Sequence, residues 1–343
     1  MRNEVKIKNV QIGGNHKIVI QSMTNVKTSN HKKTLEQISQ LYEVGCELVR
    51  VSIENNEDIK SLHEICKKSP IPVIADIQYN YQHALGAIKA GAHKIRINPS
   101  YLKENELSVL CKELKETGIA VRVGVNEGST LKNMTAEMLA TLAIKHAKLF
   151  QNYGVENIVI AAKTSSVKKT IETNRILYKE TAFPIHLGLT EAGIESSGID
   201  KSFAALSGLL IDGIGDTIRV SLSADPVQEI IAAKRILRAC EIDKNYINVV
   251  SCPTCGRTNI DVLSLALAVE NFAKDKAFPL KVAIMGCAVN GIGESRGADV
   301  GVCGGKTNSS IFMDGKRIKT VPNDEILQEI INVIKIKISN FNK

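Results

Sequence analysis

We predict an α/β fold, in which an N-terminal (β/α)8 barrel of the TIM type is followed by a small α+β domain. Short β-branched runs alternate with amphipathic helical patterns along most of the chain, which is typical of parallel βαβ units. There are eight such runs, the strand number of a closed barrel. The repeat stops between Cys240 and Asn245, and a different pattern follows. We therefore place the barrel at 1–243 and the second domain at 244–343.

The predicted barrel strands are rich in Val and Ile, and helical spacing fills the segments between them. Leu35, Ile38 and Leu41 give one example of apolar residues recurring on a single helical face. A doubly wound open sheet is the alternative, but no GxGxxG fingerprint follows the first strand. The predicted strands are Lys17–Gln21, Leu48–Ser52, Pro72–Asp76, Lys94–Ile97, Ala120–Val125, Asn157–Ala161, Ile185–Leu189 and Thr217–Val220.

The second domain is predicted to mix strands and helices around a glycine-rich loop that follows Met285. An Asp314-Gly315 pair between two apolar runs predicts a hairpin. The other predicted elements are a strand over Ile247–Val250, a helix over Ile260–Ala273, a strand over Lys281–Met285 and a last helix over Asp324–Ile338.

Composition indicates an ordinary soluble globular protein with an aliphatic core. Of 343 residues, 44% are apolar and 23% charged, and Trp is absent. The net charge is +8, but the Lys excess is spread along the chain without an aromatic-interleaved basic block, so we expect no nucleic-acid partner. Such a surface is either simply solvated or suited to an anionic substrate or an acidic electron-donor protein.

Nothing in the sequence predicts secretion or membrane insertion. Met1 to Asn15 is polar and charged, without the apolar stretch of a signal peptide, and no run reaches the length of a membrane span. Eight cysteines in such a chain indicate reduced thiols or metal ligands rather than disulfides. We therefore expect a cytoplasmic enzyme.

Three cysteines in the second domain form a candidate metal site. Cys252 and Cys255 make a CxxC pair, and Cys287 lies 32 residues beyond it among glycines. Two cysteines so spaced can bind one metal centre from a single turn, and the third can complete the site from another direction. Glu294, seven residues past Cys287, offers an oxygen as a replaceable fourth ligand. Thiolates select zinc, copper(I) or iron–sulfur, so a structural zinc site remains open beside a catalytic cluster.

Polar side chains recur where the predicted barrel strands end, the place where barrel enzymes carry their chemistry. Four of the 11 Arg residues lie inside apolar strands, and a buried charge is costly unless it is paired. A salt bridge to Asp76 or Asp216 would satisfy one of them, but four Arg and a Lys outnumber these carboxylates, which favours a phosphate or diphosphate ligand. Glu191 among these cations is the natural candidate for proton transfer. The residues concerned are Arg50, Asp76, Gln78, Arg96, Asn98, Arg122, Asn126, Lys163, Glu191, Arg219 and Ser221.

Eight short motifs, taken in order, resemble those of the 4-hydroxy-3-methylbut-2-en-1-yl diphosphate synthases of non-mevalonate isoprenoid biosynthesis. The resemblance runs from about residue 5 to 335 and is closest to the shorter, bacterial two-domain form. The motifs are Gln21-Ser-Met-Thr-Asn25, Ala75-Asp-Ile77, Arg96-Ile-Asn-Pro99, Arg122-Val-Gly-Val-Asn126, Leu187-Gly-Leu-Thr-Glu-Ala-Gly193, Arg219-Val-Ser221, Cys252-Pro-Thr-Cys255 and Gly286-Cys-Ala-Val-Asn-Gly291.

The resemblance implies a reductive ring opening of 2-C-methyl-D-erythritol 2,4-cyclodiphosphate, with two electrons entering through a [4Fe-4S] cluster. It implies that Cys252, Cys255 and Cys287 hold three irons and Glu294 the fourth, and that Glu191 is the acid/base. The barrel residues above would surround the cyclodiphosphate. The resemblance also implies flavodoxin or ferredoxin as the electron donor, and a homodimer.

Two departures from the family pattern affect these expectations. Gln78 and Tyr79 stand where the family usually has His and Phe, so no acid role is expected at residue 78. Ile292 stands where proline is usual, which we expect to loosen the turn that aims Glu294, and Cys303 is an extra thiol nearby. Two other functions are considered: a non-catalytic, zinc-stabilised phosphosugar-binding barrel, and a cluster-bearing lyase that needs no reductant.

Overall fold

A computed structural model describes residues 2–129, 134–274 and 276–341. The chain divides into two compact units, Met1–Ile242 and Asp243–Lys343. Judged by length and apolar content, no helix among the described residues meets the requirements of a membrane span.

The first unit alternates strands with helices, and its helices begin at residues suited to that position. Asn55, Asn80 and Asp225 each accept backbone N–H groups from the first turn of the helix that follows them. The elements are β1 (Glu4–Ile7), β2 (Val10–Gly13), β3 (Val19–Met23), α1 (His31–Glu43), β4 (Leu48–Ile53), α2 (Asn56–Lys68), β5 (Val73–Ile77), α3 (Tyr81–Lys89), β6 (Lys94–Ile97), α4 (Glu104–Thr117), β7 (Ala120–Asn126), α5 (Ala136–Asn152), β8 (Ile158–Lys163), α6 (Val167–Glu180), β9 (His186–Leu187), α7 (Glu195–Leu210), β10 (Thr217–Ile218) and α8 (Pro226–Ala239).

Eight parallel strands form the barrel in the order β8-β7-β6-β5-β4-β3-β10-β9. A parallel bridge between Ile160 and Ile185 joins the two ends of this sheet. Each predicted strand overlaps an observed one, and the predicted fold class is confirmed. Because all eight strands run the same way, the polar side chains at their carboxyl ends lie around one opening, the mouth of the barrel.

A hairpin that the sequence did not predict closes the opposite end of the barrel. β1 and β2 pair antiparallel, and Val5, Ile7 and Ile12 are fully buried against strand residues such as Leu48 and Ile74. Burying three such side chains stabilises the fold by roughly 4.5–9 kcal/mol at about 1.5–3 kcal/mol each. The barrel floor is therefore apolar, in contrast to the mouth.

The second unit is built on a five-stranded sheet in the order β11-β12-β13-β14-β15, parallel across the first three strands and antiparallel across the last three. The predicted hairpin is present: Asp314 and Gly315 both have positive φ, as a type I′ turn requires. The elements are β11 (Ile247–Ser251), α9 (Val262–Ala273), β12 (Leu280–Met285), α10 (Ala288–Arg296), β13 (Val300–Cys303), β14 (Asn308–Met313), β15 (Lys316–Pro322) and α11 (Ile326–Phe341).

The segment after Cys287 is a helix, where the sequence suggested a glycine-rich loop. Its glycines serve close packing: a Cβ on Gly291 would lie 2.5 Å from the Cys303 Sγ. A Cβ on Gly301 in β13 would lie 2.6 Å from the Ser295 Cβ. Glycine on both elements therefore lets α10 pack closely against β13.

Candidate active site

Strand register brings three of the predicted residues into one row inside the barrel. Asp76 on β5 is level with Arg96 on β6, and Arg96 is level with Arg122 on β7. Asp76 accepts a hydrogen bond from Arg96 Nη1 at 3.2 Å, and its other oxygen lies 3.4 Å from Arg50 Nε. One carboxylate thus holds two guanidiniums, and the side chains of all three are only 11–12% exposed.

Arg219, just after β10, is held by a carboxylate that the sequence analysis missed. Glu229 on α8 accepts hydrogen bonds from Arg219 Nε and Nη2, each at 3.1 Å. It also accepts from the Ser22 hydroxyl at 2.7 Å and from the Leu222 N–H at 3.1 Å. A bidentate pair with two further donors fixes the plane of the Arg219 guanidinium. The signal was available in Glu229-Ile-Ile, where a carboxylate interrupts the buried face of a helix.

The mouth holds more positive charge than its carboxylates balance. Among the described residues, the four guanidiniums pair with two carboxylates, Asp76 and Glu229, and Lys163 adds a further buried amine. Arg122 Nε and Nη1 are buried without a hydrogen-bond partner in the described part of the chain. Asp216, the alternative partner considered from the sequence, instead accepts the Ile185 N–H at 2.6 Å. Unbalanced, convergent guanidiniums of this kind are suited to an anion.

The electrostatics of the row follow from burial and from the neighbouring charges. Burial alone would raise the pKa of Asp76, but the charges of Arg50, Arg96 and Arg122 outweigh it and hold that pKa below its ordinary value. Burial lowers the pKa of Arg50 to about 10, against the opposing charge of Asp76. Burial and the nearby guanidiniums lower the pKa of Lys163 well below its ordinary value. The negative charge of a bound anion would oppose the guanidinium charges and would raise the pKa of each of these three groups.

Two glycines leave room beside the cationic groups. A Cβ on Gly124 would lie 3.6 Å from Arg96 Nε and 3.7 Å from Arg122 Nε, facing both guanidiniums. A Cβ on Gly188 would lie 2.6 Å from Lys163 Nζ, a contact that real side chains do not make. Gly188 therefore makes the position of the Lys163 amine possible, which gives a physical reason for glycine in that motif.

Four other predicted residues lie around the same mouth, with differing exposure. Asn98 is buried, and its side chain accepts the Ser100 N–H at 3.2 Å, so part of its role is to cap the turn that follows β6. Asn126 ends β7 and Ser221 lies three residues past β10, both partly buried. Gln78 is exposed just past β5. Of these four, Gln78 is the most open to solvent.

Glu191 lies in the segment after β9, exposed and with a left-handed backbone at φ 54°. For a residue that carries a Cβ, this left-handed backbone conformation costs roughly 1–2 kcal/mol. Its carboxylate reaches towards the segment after β7, where a Cβ on Gly128 would lie 3.7 Å from Glu191 Oε1. Strained residues of this kind gather at functional sites, which is consistent with a carboxylate aimed at a ligand.

Met23 is a second residue that sequence reasoning missed. Its Sδ lies 3.1 Å from Arg50 Nε and 3.6 Å from Arg219 Nη1, between the two guanidiniums. A thioether is a weak acceptor that occupies space without adding charge. The only available signal was its place in the Gln21-to-Asn25 motif, because apolar composition alone makes a strand methionine an ordinary core residue.

In the second unit, the three predicted cysteines lie at one edge of the sheet. Cys252 follows β11 and donates its N–H to the Ile284 carbonyl on β12, and its Sγ accepts the Gly286 N–H at 3.2 Å. Cys287 lies two residues past β12 and precedes the first residue of α10. The carboxyl ends of two neighbouring parallel strands therefore carry two of the thiols.

Cys255 completes the group from a turn tied to the same edge. Its N–H donates to Thr258 Oγ1, and the Thr258 N–H donates back to its carbonyl, both at 3.0 Å. The next residue, Asn259, donates its N–H to the Gly286 carbonyl at 2.8 Å. A hydrogen bond from the Arg257 N–H, with the charge of Arg257, lowers the pKa of the Cys255 thiol, which favours the thiolate.

The donor set fits a thiolate-bound cluster, although the described residues show no group of three or more metal-ligating side chains already in coordinating positions. All three cysteines are free thiols at least partly open to solvent, and Cys252 Sγ already accepts a backbone N–H. Glu294 is exposed in the second turn of α10. Cys303, at the end of β13, is buried, and its thiol points at the Cys287 carbonyl at 3.4 Å.

Comparison with known proteins gives the family. Residues 2–234 match the model of the GcpE TIM-barrel domain, and residues 248–336 match that of the GcpE protein C-terminal domain. Proteins from Malacoplasma penetrans and Caldanaerobacter subterraneus are 42% and 44% identical to this chain, over 98% of it and 95% and 97% of their own lengths. An Aquifex aeolicus protein is 42% identical over 97% of this chain and 95% of its own.

All three of these proteins are named 4-hydroxy-3-methylbut-2-en-1-yl diphosphate synthase (flavodoxin). Among solved structures, dihydropteroate synthase from Stenotrophomonas maltophilia covers 69% of this chain and 98% of its own, with a TM-score of 0.54 at 14% identity. That likeness shows the barrel fold alone. The family matches and the near full-length identity confirm the resemblance seen in the motifs: this chain belongs to the GcpE family of 4-hydroxy-3-methylbut-2-en-1-yl diphosphate synthases.

Proposed function

We propose that this chain opens the ring of 2-C-methyl-D-erythritol 2,4-cyclodiphosphate reductively to give 4-hydroxy-3-methylbut-2-enyl diphosphate in isoprenoid precursor biosynthesis. The observation that carries the proposal is the excess of guanidinium charge at the barrel mouth, in a chain of the GcpE family. A cyclic diphosphate supplies the anionic oxygens that these groups lack.

In this proposal the barrel residues bind and orient the diphosphate. Arg50, Arg96, Arg122, Lys163 and Arg219 meet its oxygens, and bidentate guanidinium contacts fix its orientation as well as its charge. Asn98, Asn126 and Ser221 complete the polar lining of the mouth, and Gln78 lies at its rim. Asp76 and Glu229 act indirectly, by positioning the arginines, because each carboxylate is already paired with guanidiniums.

Cys252, Cys255 and Cys287 would hold a [4Fe-4S] cluster through thiolates, with Glu294 as the fourth ligand. When bound, such a cluster supplies electrons one at a time. Cys303 is the weaker candidate for the fourth position, because its thiol is buried and already donates to a backbone carbonyl. Glu294 is exposed, and a carboxylate is a replaceable ligand among thiolates.

Glu191 is proposed to supply the proton that the reaction needs. One C–O bond of the ring breaks and a hydroxyl group leaves as water, so a proton must reach that oxygen as the electrons enter. The exposed carboxylate of Glu191, on a strained backbone beside the mouth, is suited to carrying it.

The partners and the organisation of the chain are part of the same proposal. The relatives are named as flavodoxin-dependent, and the net charge of +8 suits an acidic carrier such as flavodoxin or ferredoxin. The barrel at 1–243 and the cluster domain at 244–343, the homodimer and the cytoplasmic location remain proposals. Sedimentation of the purified protein measures the oligomeric state directly.

The test combines metal analysis with a reductant-dependent assay. Anaerobically purified and reconstituted protein is expected to contain iron and acid-labile sulfide, and to convert the cyclodiphosphate only when a one-electron reductant is supplied. Stoichiometric zinc without sulfide would exclude the synthase in favour of a zinc-stabilised binding barrel. Turnover without any reductant would indicate a lyase.

A further inference from the structure

Below the row of Asp76, Arg96 and Arg122 lies a fully buried amine, that of Lys94, which the proposed function does not use. Lys94 is two residues before Arg96 on β6 and level with Ile74 and Ala120, so it lies one layer nearer the apolar floor. Its exposure is 0%, and Lys94 Nζ has no hydrogen-bond partner within residues 2–129, 134–274 and 276–341.

Two other buried residues of the barrel strands also have polar atoms without a partner. Both amide atoms of Gln21 and Nε2 of His186 are buried without a hydrogen-bond partner among the described residues, although His186 Nδ1 lies 2.6 Å from Thr217 Oγ1. Unpaired buried polar atoms are rare, and for Lys94 the pairing is incomplete within the protein although its amine is fully buried.

A charged Lys94 would be expensive in the empty barrel. Burial, then the charges of Arg122 and Arg50, lower the pKa of Lys94 well below its ordinary value. Burial, then Lys163 and Arg122, do the same to the pKa of His186. The titratable and charged groups of the surrounding elements are Arg50 on β4, Asp76 on β5, Arg96 on β6, Arg122 on β7, Lys163 on β8, His186 on β9, Arg219 after β10 and Glu229 on α8.

We propose that Lys94 is a positioning residue for the anion at the mouth, whose amine is neutral in the empty barrel and takes up a proton when the cyclodiphosphate binds. The neutral amine carries no charge for the Arg122 and Arg50 guanidiniums to repel. An anion bound at the guanidiniums offsets their positive charge, so protonation of Lys94 becomes favourable. The charged Lys94 amine then attracts the anion from the floor side of the barrel. The inference rests on the proposed function, because it assumes that this ligand enters the mouth.

Proton-linked calorimetry tests the proposal on the reconstituted, oxidised enzyme without reductant, so that the ligand binds without turning over. Binding of the cyclodiphosphate is measured in buffers of different ionisation enthalpy, and its Kd is measured from pH 6.5 to 8.5. The ring phosphates carry no group that titrates in this interval, so any uptake belongs to the protein. The wild type is expected to take up more protons than Lys94→Met, by up to about one per site.

Affinity is expected to follow the same linkage. Each bound proton makes binding about tenfold tighter per unit fall in pH, so the slope of log Kd against pH should be smaller in Lys94→Met by up to about one. Lys89→Met, at an exposed position on α3, is the matched control and should behave as the wild type. Lys94→Gln repeats the test with a polar neutral side chain.

The outcomes separate this inference from the proposed function. Binding with equal proton uptake and equal pH slopes in wild type, Lys94→Met and Lys94→Gln would overturn the role of Lys94 and leave the synthase intact. No binding of the cyclodiphosphate would overturn both. Removing a buried, unpaired amine should not prevent folding, because a buried polar group without a hydrogen bond is costly and methionine has no such group. Should Lys94→Met still fail to fold, Lys94→Gln and the pH slope of the wild type give the decision.

Discussion

Replacing Asp76 with asparagine removes the carboxylate that holds two of the barrel guanidiniums and leaves a side chain of the same shape. Asp76 lies 3.2 Å from Arg96 Nη1 and 3.4 Å from Arg50 Nε, and these side chains are only 11–12% exposed. In the variant, the two guanidiniums face each other and Arg122 without a counter-charge. We expect Asp76→Asn to be markedly less stable than the wild type.

The size of the effect follows from burial. Removing one partner of a buried ion pair costs about 3–5 kcal/mol, because the remaining charge is left uncompensated. The introduced amide would keep one acceptor oxygen, so we expect a loss near the lower end of that range, about 3 kcal/mol. Asp212 on the surface provides a matched control: it pairs with Arg175 at 2.7 Å, but the two side chains are 41% and 54% exposed. Exposed pairs contribute about 0–1 kcal/mol.

The assay is urea unfolding of the full chain followed by circular dichroism, with the transitions of the two units fitted separately. The pH dependence gives an independent check. Because the folded-state pKa of Asp76 is lowered, its contribution is present above the unfolded pKa of about 3.9 and is lost as pH falls through the folded value. The gap between wild type and Asp76→Asn should therefore narrow in acid. A loss no larger than that of Asp212→Asn, or a gap independent of pH, would refute the electrostatic explanation.

Further substitutions test the remaining parts of the molecule. Glu191→Gln should keep iron content and cyclodiphosphate binding and lose about 10²–10⁴-fold in turnover, as removal of a general acid does; unchanged turnover would exclude Glu191 from proton transfer. Arg96→Ala should weaken cyclodiphosphate binding, measured by calorimetry, without changing iron content, whereas equal loss of both would mean a structural role. Cys303→Ser should retain iron and sulfide on reconstitution and Cys287→Ser should lose them; the reverse would make Cys303 the ligand. Ile7→Ala, in the floor hairpin, should lower the free energy of unfolding by about 2–5 kcal/mol, and a loss under about 1 kcal/mol would contradict its packing role.

Much of the barrel could be predicted because its signals are local. Strand runs such as Leu48–Ser52 show β-branched composition, and a row such as Asp76, Arg96 and Arg122 follows once parallel strands are assumed. Glu229 could not be paired with Arg219 in advance, because a helix residue meets a strand end only through packing. The floor hairpin escaped notice because β1 and β2 are each four residues long and joined by an ordinary polar pair.

Lys94 shows the same limit at the level of a single side chain. In the sequence it begins a strand of alternating basic and apolar residues, Lys-Ile-Arg-Ile, and basic side chains there are as compatible with a solvated end as with an interior. Only closure of the barrel makes it a fully buried amine. The sequence therefore predicts that basic side chains lie on a barrel strand. How deeply each one is buried, and hence how far its pKa is shifted, depends on tertiary structure.

The segment around Ile292 shows how one substitution changes the meaning of a motif. From the motif alone, isoleucine in place of the usual proline suggested a looser turn, yet Ile292 lies inside α10, where its N–H is part of a regular helix. A proline there would lack that N–H and clash with the preceding turn, at a cost of about 3 kcal/mol. The isoleucine therefore permits the helix, and helical geometry makes the position of Glu294 depend on the packing of Gly291 against Cys303. In this chain, contacts between α10 and β13, rather than the stiffness of a proline turn, determine where Glu294 lies.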